Sequence, residues 1–200
     1  MNKKDPRVIK TLRQIDEALL ESLSQTSFEK ITIDMLCKKA LINRSTFYKY
    51  YVDKYELLSD FIDRTLSEFK EYAKVDFVMA TPYNIDGEIY RSIFRNLIQY
   101  VYSKKDACLI LWQANLNRNI LLEMAQIIQE RILETLNSTS VIKPENKIYL
   151  DLFARLFASN LMTELEWWLK NDTTVSMDDL MKIMTHNMKN GIFKTFREYF

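Results

Sequence analysis

With two glycines and three prolines in 200 residues, the chain has too few turn formers for a series of tight hairpins, and the β-branched runs of an all-β protein are missing. Apolar residues recur instead at three- and four-residue steps along most of the sequence, the period of amphipathic helices. The expectation is an all-α fold. A hydrophobic content of 48% is enough for a true core, and a chain of this length buries about 70% of the surface its unfolded form exposes.

Asp5-Pro6 reads as a helix start, an N-cap acceptor followed by proline at the first helical position. Val8, Leu12, Ile15, Leu19 and Leu23 then form one stripe to about Ser24, and Phe28 anchors the polar connection that follows. Thr32 caps a second, short helix with Leu36 and Ala40 inward and Lys38 and Lys39 outward. Asn43 caps a third helix and Asp53 a fourth, whose Leu58, Phe61, Ile62, Thr65, Leu66, Phe69 and Tyr72 keep helical spacing; Tyr55 and Tyr72 are expected in the core.

"KVDFVMATPYNIDG" breaks the period. Helical patterns resume at Ile89, Ile93, Leu97 and Val101, in "ACLILWQANL", and from Ile120 through Met124 to Leu133 or Leu136. After the cap-and-proline signal "SVIKPE" a long helix carries Phe153 to Trp168. Ser176, with Asp179 three residues on, opens a last helix through Leu180, Ile183, Met184, Met188, Phe193 and Phe196.

Formal charge is only +1, but it is unevenly spread. Residues 1–54 hold 11 basic and 7 acidic groups, a net of +4, and residues 55–200 hold 17 and 20, a net of −3. A basic head on a mildly acidic body lets a polyanion find one end. Cys37 and Cys108 lie in helical patterns without metal-ligand spacing, which fits free thiols in a reducing cytoplasm. No apolar run approaches the roughly 20 residues needed to span a bilayer, and "MNKKDPRVIK" lacks the apolar segment of a signal peptide, so no membrane contact and a cytoplasmic location are expected.

His186 is the only histidine, and it has no ligand-spaced partner for a metal or a nucleophilic triad. Glu164 and Glu166 lie about 200° apart around a helix and do not pair. There is no glycine-rich phosphate loop. The chain is not expected to be an enzyme or to need a cofactor or metal.

The stretch "LINRSTFYKYY", residues 41–51, is the informative one. Only Leu41 and Ile42 separate two capped helices, so the helices cross sharply as in a helix-turn-helix, expected at about 32–51. In such a unit the second helix enters the major groove and its N-terminal residues meet base edges. Arg44, Ser45 and Thr46 occupy that first turn, Phe47 faces the core, and Tyr48 and Lys49 follow at mid-helix with reach to a phosphate or base. Lys54 begins the next helix.

"ITIDMLCKKALINRSTFYKYYVDKYELL" resembles the DNA-binding signature of the TetR (tetracycline repressor) family, with the threonine at Thr32, the Phe47-Tyr48 pair, aromatic Tyr51 and the Lys54 to Leu57 continuation. The likeness covers about residues 7–66. It implies phosphate contacts at Thr32, Asn43, Tyr48 and Lys54, and groove-facing readers at Arg44, Ser45, Lys49 and Tyr50. The turn position that is usually glycine in the family is Leu41 here, and a leucine with positive φ costs about 1–2 kcal/mol.

"LFASNLMTELEWWLKNDTTVSMDDLMKIMTHNMKNGIF" is similar to the regulatory domains of one TetR subgroup. The resemblance implies a three-helix head at 1–54, joined by a fourth helix to a helical bundle at 55–200 for ligand binding and dimerisation. In the family the last two helices pair with their copies. Homodimer-interface candidates are Phe153, Leu161, Leu165, Trp168, Ile183 and Met188. Adjacent Trp167 and Trp168 must face different ways. Trp112, Met124, Phe157, Asn160 and Trp168 are candidates for lining an effector pocket. The expected partners are double-stranded DNA, a small-molecule effector and a second copy of the chain. Two functions compete: a repressor that binds a palindromic operator and is released by its effector, and an interaction module of the same fold that binds no operator.

Overall fold

The computed structural model describes residues 5–75, 88–138 and 147–191, and every regular element among them is helical. By packing, one compact unit comprises Met1–Ser67 with Asp106–Ile120, and the other Glu68–Lys105 with Leu121–Phe200. That division records which residues touch, whereas the boundary expected at 54/55 assigns roles.

In the first unit, α1 (Pro6–Gln25) starts at Asp5, whose carboxylate accepts from the Arg7 amide at 2.8 Å. Val8, Ile15, Ala18, Leu19 and Leu23 are buried, and Leu12 is half-buried. A single 3₁₀ turn, Phe28–Lys30, buries Phe28. Helix α2 (Ile33–Ala40) packs on α1 and turns Leu36, Cys37 and Ala40 inward. Lys39, expected to face outward, is tied back instead: its ammonium bridges Glu21 and Gln25 of α1. The long stem lies along the neighbouring helix and places the charge on a carboxylate there.

Helix α3 (Arg44–Phe47) is followed by α4 (Lys54–Tyr72). The Asp53 carboxylate accepts from the Tyr55 and Glu56 amides, both at 2.8 Å, and Glu56 in turn accepts from the Val52 amide at 2.6 Å. This reciprocal arrangement satisfies the orphan donors of the helix start. Leu57, Phe61, Ile62 and Phe69 form the buried face of α4. Arg64 joins α4 to α1 through two parallel bonds to Asp16, at 2.9 and 2.8 Å, and a third to Asp60 at 2.9 Å.

Tyr55 and Tyr72 are exposed, contrary to expectation. Tyr55 rests its edge on Phe28, 5.3 Å between centroids, and Tyr72 stacks on Tyr100 at 4.2 Å. Each ring covers one apolar neighbour while the rest of it meets water, a common compromise for tyrosine.

The remaining helices are α5 (Glu88–Ser103), α6 (Lys105–Gln113), α7 (Ile120–Asn137), α8 (Lys147–Asn171) and α9 (Met177–Asn190). In the second unit α9 packs on α5 and α8. Leu97, Val101, Met124, Ile128, Leu161, Leu165, Leu180 and Met184 are buried there. Ser176 caps α9, accepting from the Asp179 amide at 3.1 Å and donating to the Asp179 carboxylate at 2.6 Å. Gly191, with φ 75°, follows the last helical residue. The expected continuation to Phe193 and Phe196 lies outside the described residues. So do "SVIKPE", the break beyond Val75, and the side chains of Ile89 and Ile93.

Candidate nucleic-acid interface

The head is assembled by its caps. Thr32 Oγ1 accepts from the Met35 amide at 3.2 Å, which leaves the hydroxyl hydrogen available to donate. Helix α2 ends at Leu41, which adopts left-handed φ 55°, ψ 41° and is 85% exposed. The Ile42 amide donates to the Cys37 carbonyl at 3.0 Å and the Leu41 amide to that of Lys38 at 3.4 Å, the two bonds of a Schellman stop. Leucine therefore occupies the strained position that glycine would fill without cost.

Helix α3 is a single turn. The Asn43 carbonyl accepts from the Thr46 and Phe47 amides at 2.9 and 3.1 Å, and its carboxamide makes no cap bond. Tyr48 and Lys49 were expected at mid-helix. Tyr48 instead closes α3, and Lys49 and Tyr50 lie in tight turns whose amides bond to the Thr46 and Phe47 carbonyls at 3.3 and 2.9 Å. The backbone stays in hydrogen-bonded turns to Tyr51, whose amide donates to the Phe47 carbonyl at 3.1 Å. Phe47 is fully buried, and Tyr51 is buried four residues later with its hydroxyl donating to Asp60 at 2.9 Å. Burial, then the bond to Asp60, pushes the Tyr51 phenol well above its usual range and keeps it protonated.

Asn43, Arg44, Ser45, Tyr48 and Lys49 are exposed around this turn, with Thr46 and Tyr50 half-buried. An expected reader and an expected phosphate contact meet: Arg44 Nη2 lies 3.3 Å from the Tyr48 hydroxyl. Its other branch lies 3.1 Å from Asp34 of α2. The Tyr48 hydroxyl, then Asp34, hold the Arg44 pKa above its ordinary value.

Lys54 does not stand open to a phosphate. Its ammonium donates to the carbonyls of Phe28, Glu29 and Ile31 at 2.8, 2.9 and 2.8 Å. An ammonium has three donors, and here three acceptors match them.

The other candidates disperse. Trp112 belongs to the first packing unit and Met124, Phe157 and Asn160 to the second. None of the four lines either of two cavities in the second unit. One, of about 10 Å³, is enclosed by Ala73, Val75, Phe94, Leu97, Ile128 and Leu161, the space of about one water. The other, about 360 Å³, is an open cleft beside Tyr72 and Tyr100. Met124 is packed solid and Phe157 sets its edge toward Phe94 at 6.4 Å. Asn160 and Asn187 both donate to Glu164 Oε1, at 3.1 and 2.7 Å. Burial raises the Glu164 pKa, against the two amide bonds that lower it.

Leu161, Leu165 and Trp168, expected at a dimer interface, are buried within the chain's own core, and the Trp168 indole donates to the Val175 carbonyl at 2.8 Å. Trp168 is 2% exposed against 49% for Trp167, so the adjacent pair does split. Ile183 and Met188 are half-buried. The open apolar face belongs to the first half of α8, where Ile148, Tyr149, Leu152, Phe153 and Leu156 are exposed at helical spacing. Phe153 alone among the α8 candidates lies on it. Among the described residues no three His, Cys, Asp or Glu side chains are placed to hold a metal ion, and no helix is long and apolar enough to cross a membrane.

Comparison with known proteins places this architecture. The TetR_C_8 family, described as "Transcriptional regulator C-terminal region", matches residues 90–190. YxbF of Bacillus subtilis strain 168, described as an uncharacterized HTH-type transcriptional regulator, is 33% identical over 72 residues, 36% of this chain; the match spans about a fifth of that relative, 19% of its length. A TetR transcriptional regulator from Streptococcus agalactiae 2603V has the same fold with TM-score 0.60 at 21% identity, over 92% of this chain and 97% of the other. Thermus thermophilus FadR, a TetR family transcriptional repressor solved in complex with lauroyl-CoA, gives 0.51 at 20% identity over 90% and 94%.

Proposed function

The chain belongs to the TetR family of transcriptional regulators, and from that membership we propose that it is a cytoplasmic repressor that binds a palindromic operator as a homodimer and is released by a small-molecule effector. The observation that carries this reading is the exposed set Asn43, Arg44, Ser45, Tyr48 and Lys49 around a turn fixed from beneath by fully buried Phe47. Arg44 reads a guanine edge, while Thr32, Asn43 and Tyr48 hold phosphates; Lys49, expected to face the groove, lies beyond the end of α3 and is reassigned here to a phosphate. Residues 1–54 form the reading head and 55–200 the regulatory part. The exposed α8 face supports pairing with a second copy.

The effector is small and at least partly apolar. Its kind is supported by the lauroyl-CoA found in the Thermus relative, and by the lining of the small cavity, apolar except for Lys74. A cavity of about 10 Å³ admits no such molecule until the bundle opens. Release then works by shifting the population toward an opened form with lower operator affinity.

The test is binding-site selection with wild type and Arg44→Ala at fixed salt. Wild type should enrich a near-palindrome, and Arg44→Ala should lose preference at one position per half-site, costing about 1–3 kcal/mol there. If wild type enriches no palindrome, the operator reading fails and the interaction-module reading replaces it.

A further inference from the structure

Lys54 is the first residue of α4, and its side chain runs back to the segment that immediately precedes α2. The acceptors are the carbonyls of a 3₁₀ turn and of the residue after it, where the carbonyl end of the turn is locally negative; the Phe28 carbonyl also accepts from the Ile31 amide at 3.1 Å and so takes two donors. The ammonium also lies 4.8 Å from the Phe28 ring centre and 5.4 Å from that of Tyr55, two rings that touch edge to face. Its own backbone is fixed from the other side, because Asp53 caps α4 through the next two amides.

We infer that Lys54 is a positioning residue for DNA reading: it clamps the start of α4 to residues 28–31, and so fixes Thr32 and the α2–α3 turn, without neutralising a phosphate itself. The inference rests on the DNA-reading function proposed above. The geometry explains why lysine is needed. One tetrahedral nitrogen can aim three hydrogens at three converging carbonyls, whereas the flat guanidinium fork of arginine spreads its donors in a plane. Thr32 follows the last clamped carbonyl directly, and its hydroxyl caps α2. Loss of the clamp therefore loosens a proposed phosphate contact at Thr32 that Lys54 does not itself make.

The two roles differ in measurable ways. A phosphate ligand is served by any long cation and adds about 0.9 to the salt slope of binding. A clamp needs lysine and adds nothing to that slope.

Operator affinity would be measured across a salt series for wild type, Lys54→Met, Lys54→Arg and Lys49→Ala, with amide hydrogen exchange on the same proteins without DNA. Lys54→Met and Lys54→Arg should both lose about tenfold or more in affinity at an unchanged slope, and Lys49→Ala should lower the slope by about 0.9 per subunit. Exchange should quicken in both Lys54 variants at the amides of Lys30, Ile31 and Met35, which the clamped segment now protects. Lys54→Arg with wild-type affinity, a slope lowered by about 0.9 in Lys54→Met, or unchanged exchange at those three amides would each overturn the clamp. Exchange needs no operator, so a wild type that binds no DNA defeats the reading function and still leaves the clamp decided.

Discussion

Arg44 and Asp34 face each other across the turn between α2 and α3, with 3.1 Å between guanidinium and carboxylate, both exposed. An exposed pair of this kind contributes little to folding and is easily exchanged. On the proposed function this surface meets DNA, and there the pair would have another effect. The carboxylate would oppose phosphates, and a guanine edge would have to take Arg44 from it. Asp34→Ala should therefore raise affinity for non-operator DNA about threefold to tenfold and narrow the gap between operator and random sequence, as a single charge next to a phosphate contact allows. Competition binding at fixed salt checks this; unchanged discrimination would mean that Asp34 takes no part.

Leu41 carries the left-handed conformation at the end of α2 while its side chain lies in water. Leu41→Gly gives up no packing and relieves strain of about 1 kcal/mol, so the melting temperature should rise by about 2–4 °C. Leu41→Ala, which keeps its Cβ, should give no such gain. A calorimetric scan of the two variants decides it.

Glu164 is a partly buried carboxylate whose pKa in the folded chain is raised above the ordinary 4.5 by burial. The folded state thus binds the proton more readily than the unfolded one. The cost of the charge is fully present above the raised value and disappears as pH falls to about 4.5. Glu164→Gln keeps the Oε1 acceptor for Asn160 and Asn187 and removes the charge. Thermal melts should show it more stable than wild type at pH 7.5 and equal to it near pH 4.5. The opposite trend would mean that the carboxylate is favoured by its two amides.

The exposed and buried faces of α8 separate assembly from folding. Phe153→Asp should shift the protein toward monomer in light scattering at micromolar concentration while leaving its helical signal intact. Leu161→Ala should leave the oligomer size alone and cost about 2–5 kcal/mol of stability as a core truncation. A wild type that is already monomeric at that concentration would remove the pairing proposal.

The head was legible because its signals are local. Asp5, Thr32 and Asp53 announce helix starts through their own side chains, as Ser176 does for α9, and Phe47 falls inward by simple period. The partners of Lys54 were not legible, since they are backbone carbonyls more than twenty residues away and carbonyls have no letter in a sequence. Asp34 was missed for a related reason: the pair with Arg44 spans a turn and not a helix repeat. On α8 every turn offers apolar residues on both sides, so period alone could not tell which side the protomer keeps for itself. That is why Leu165 and Trp168 are expected outside while exposed Ile148, Tyr149 and Leu152 go unmarked.

The brevity of α3 bears on how much information an operator can hold. Four residues at 1.5 Å each make an α-helical segment of about 6 Å, and the tight turns through Tyr50 lengthen it by only a few residues, so the face spans a few base-pair steps at about 3.4 Å each. On the proposed function, each half-site then has few positions where a substitution is severely punished. The remaining selectivity comes from how readily flanking DNA narrows or bends. Such a regulator tolerates drift across much of its binding site, and the operators it serves form a loose set of related sequences instead of one fixed word.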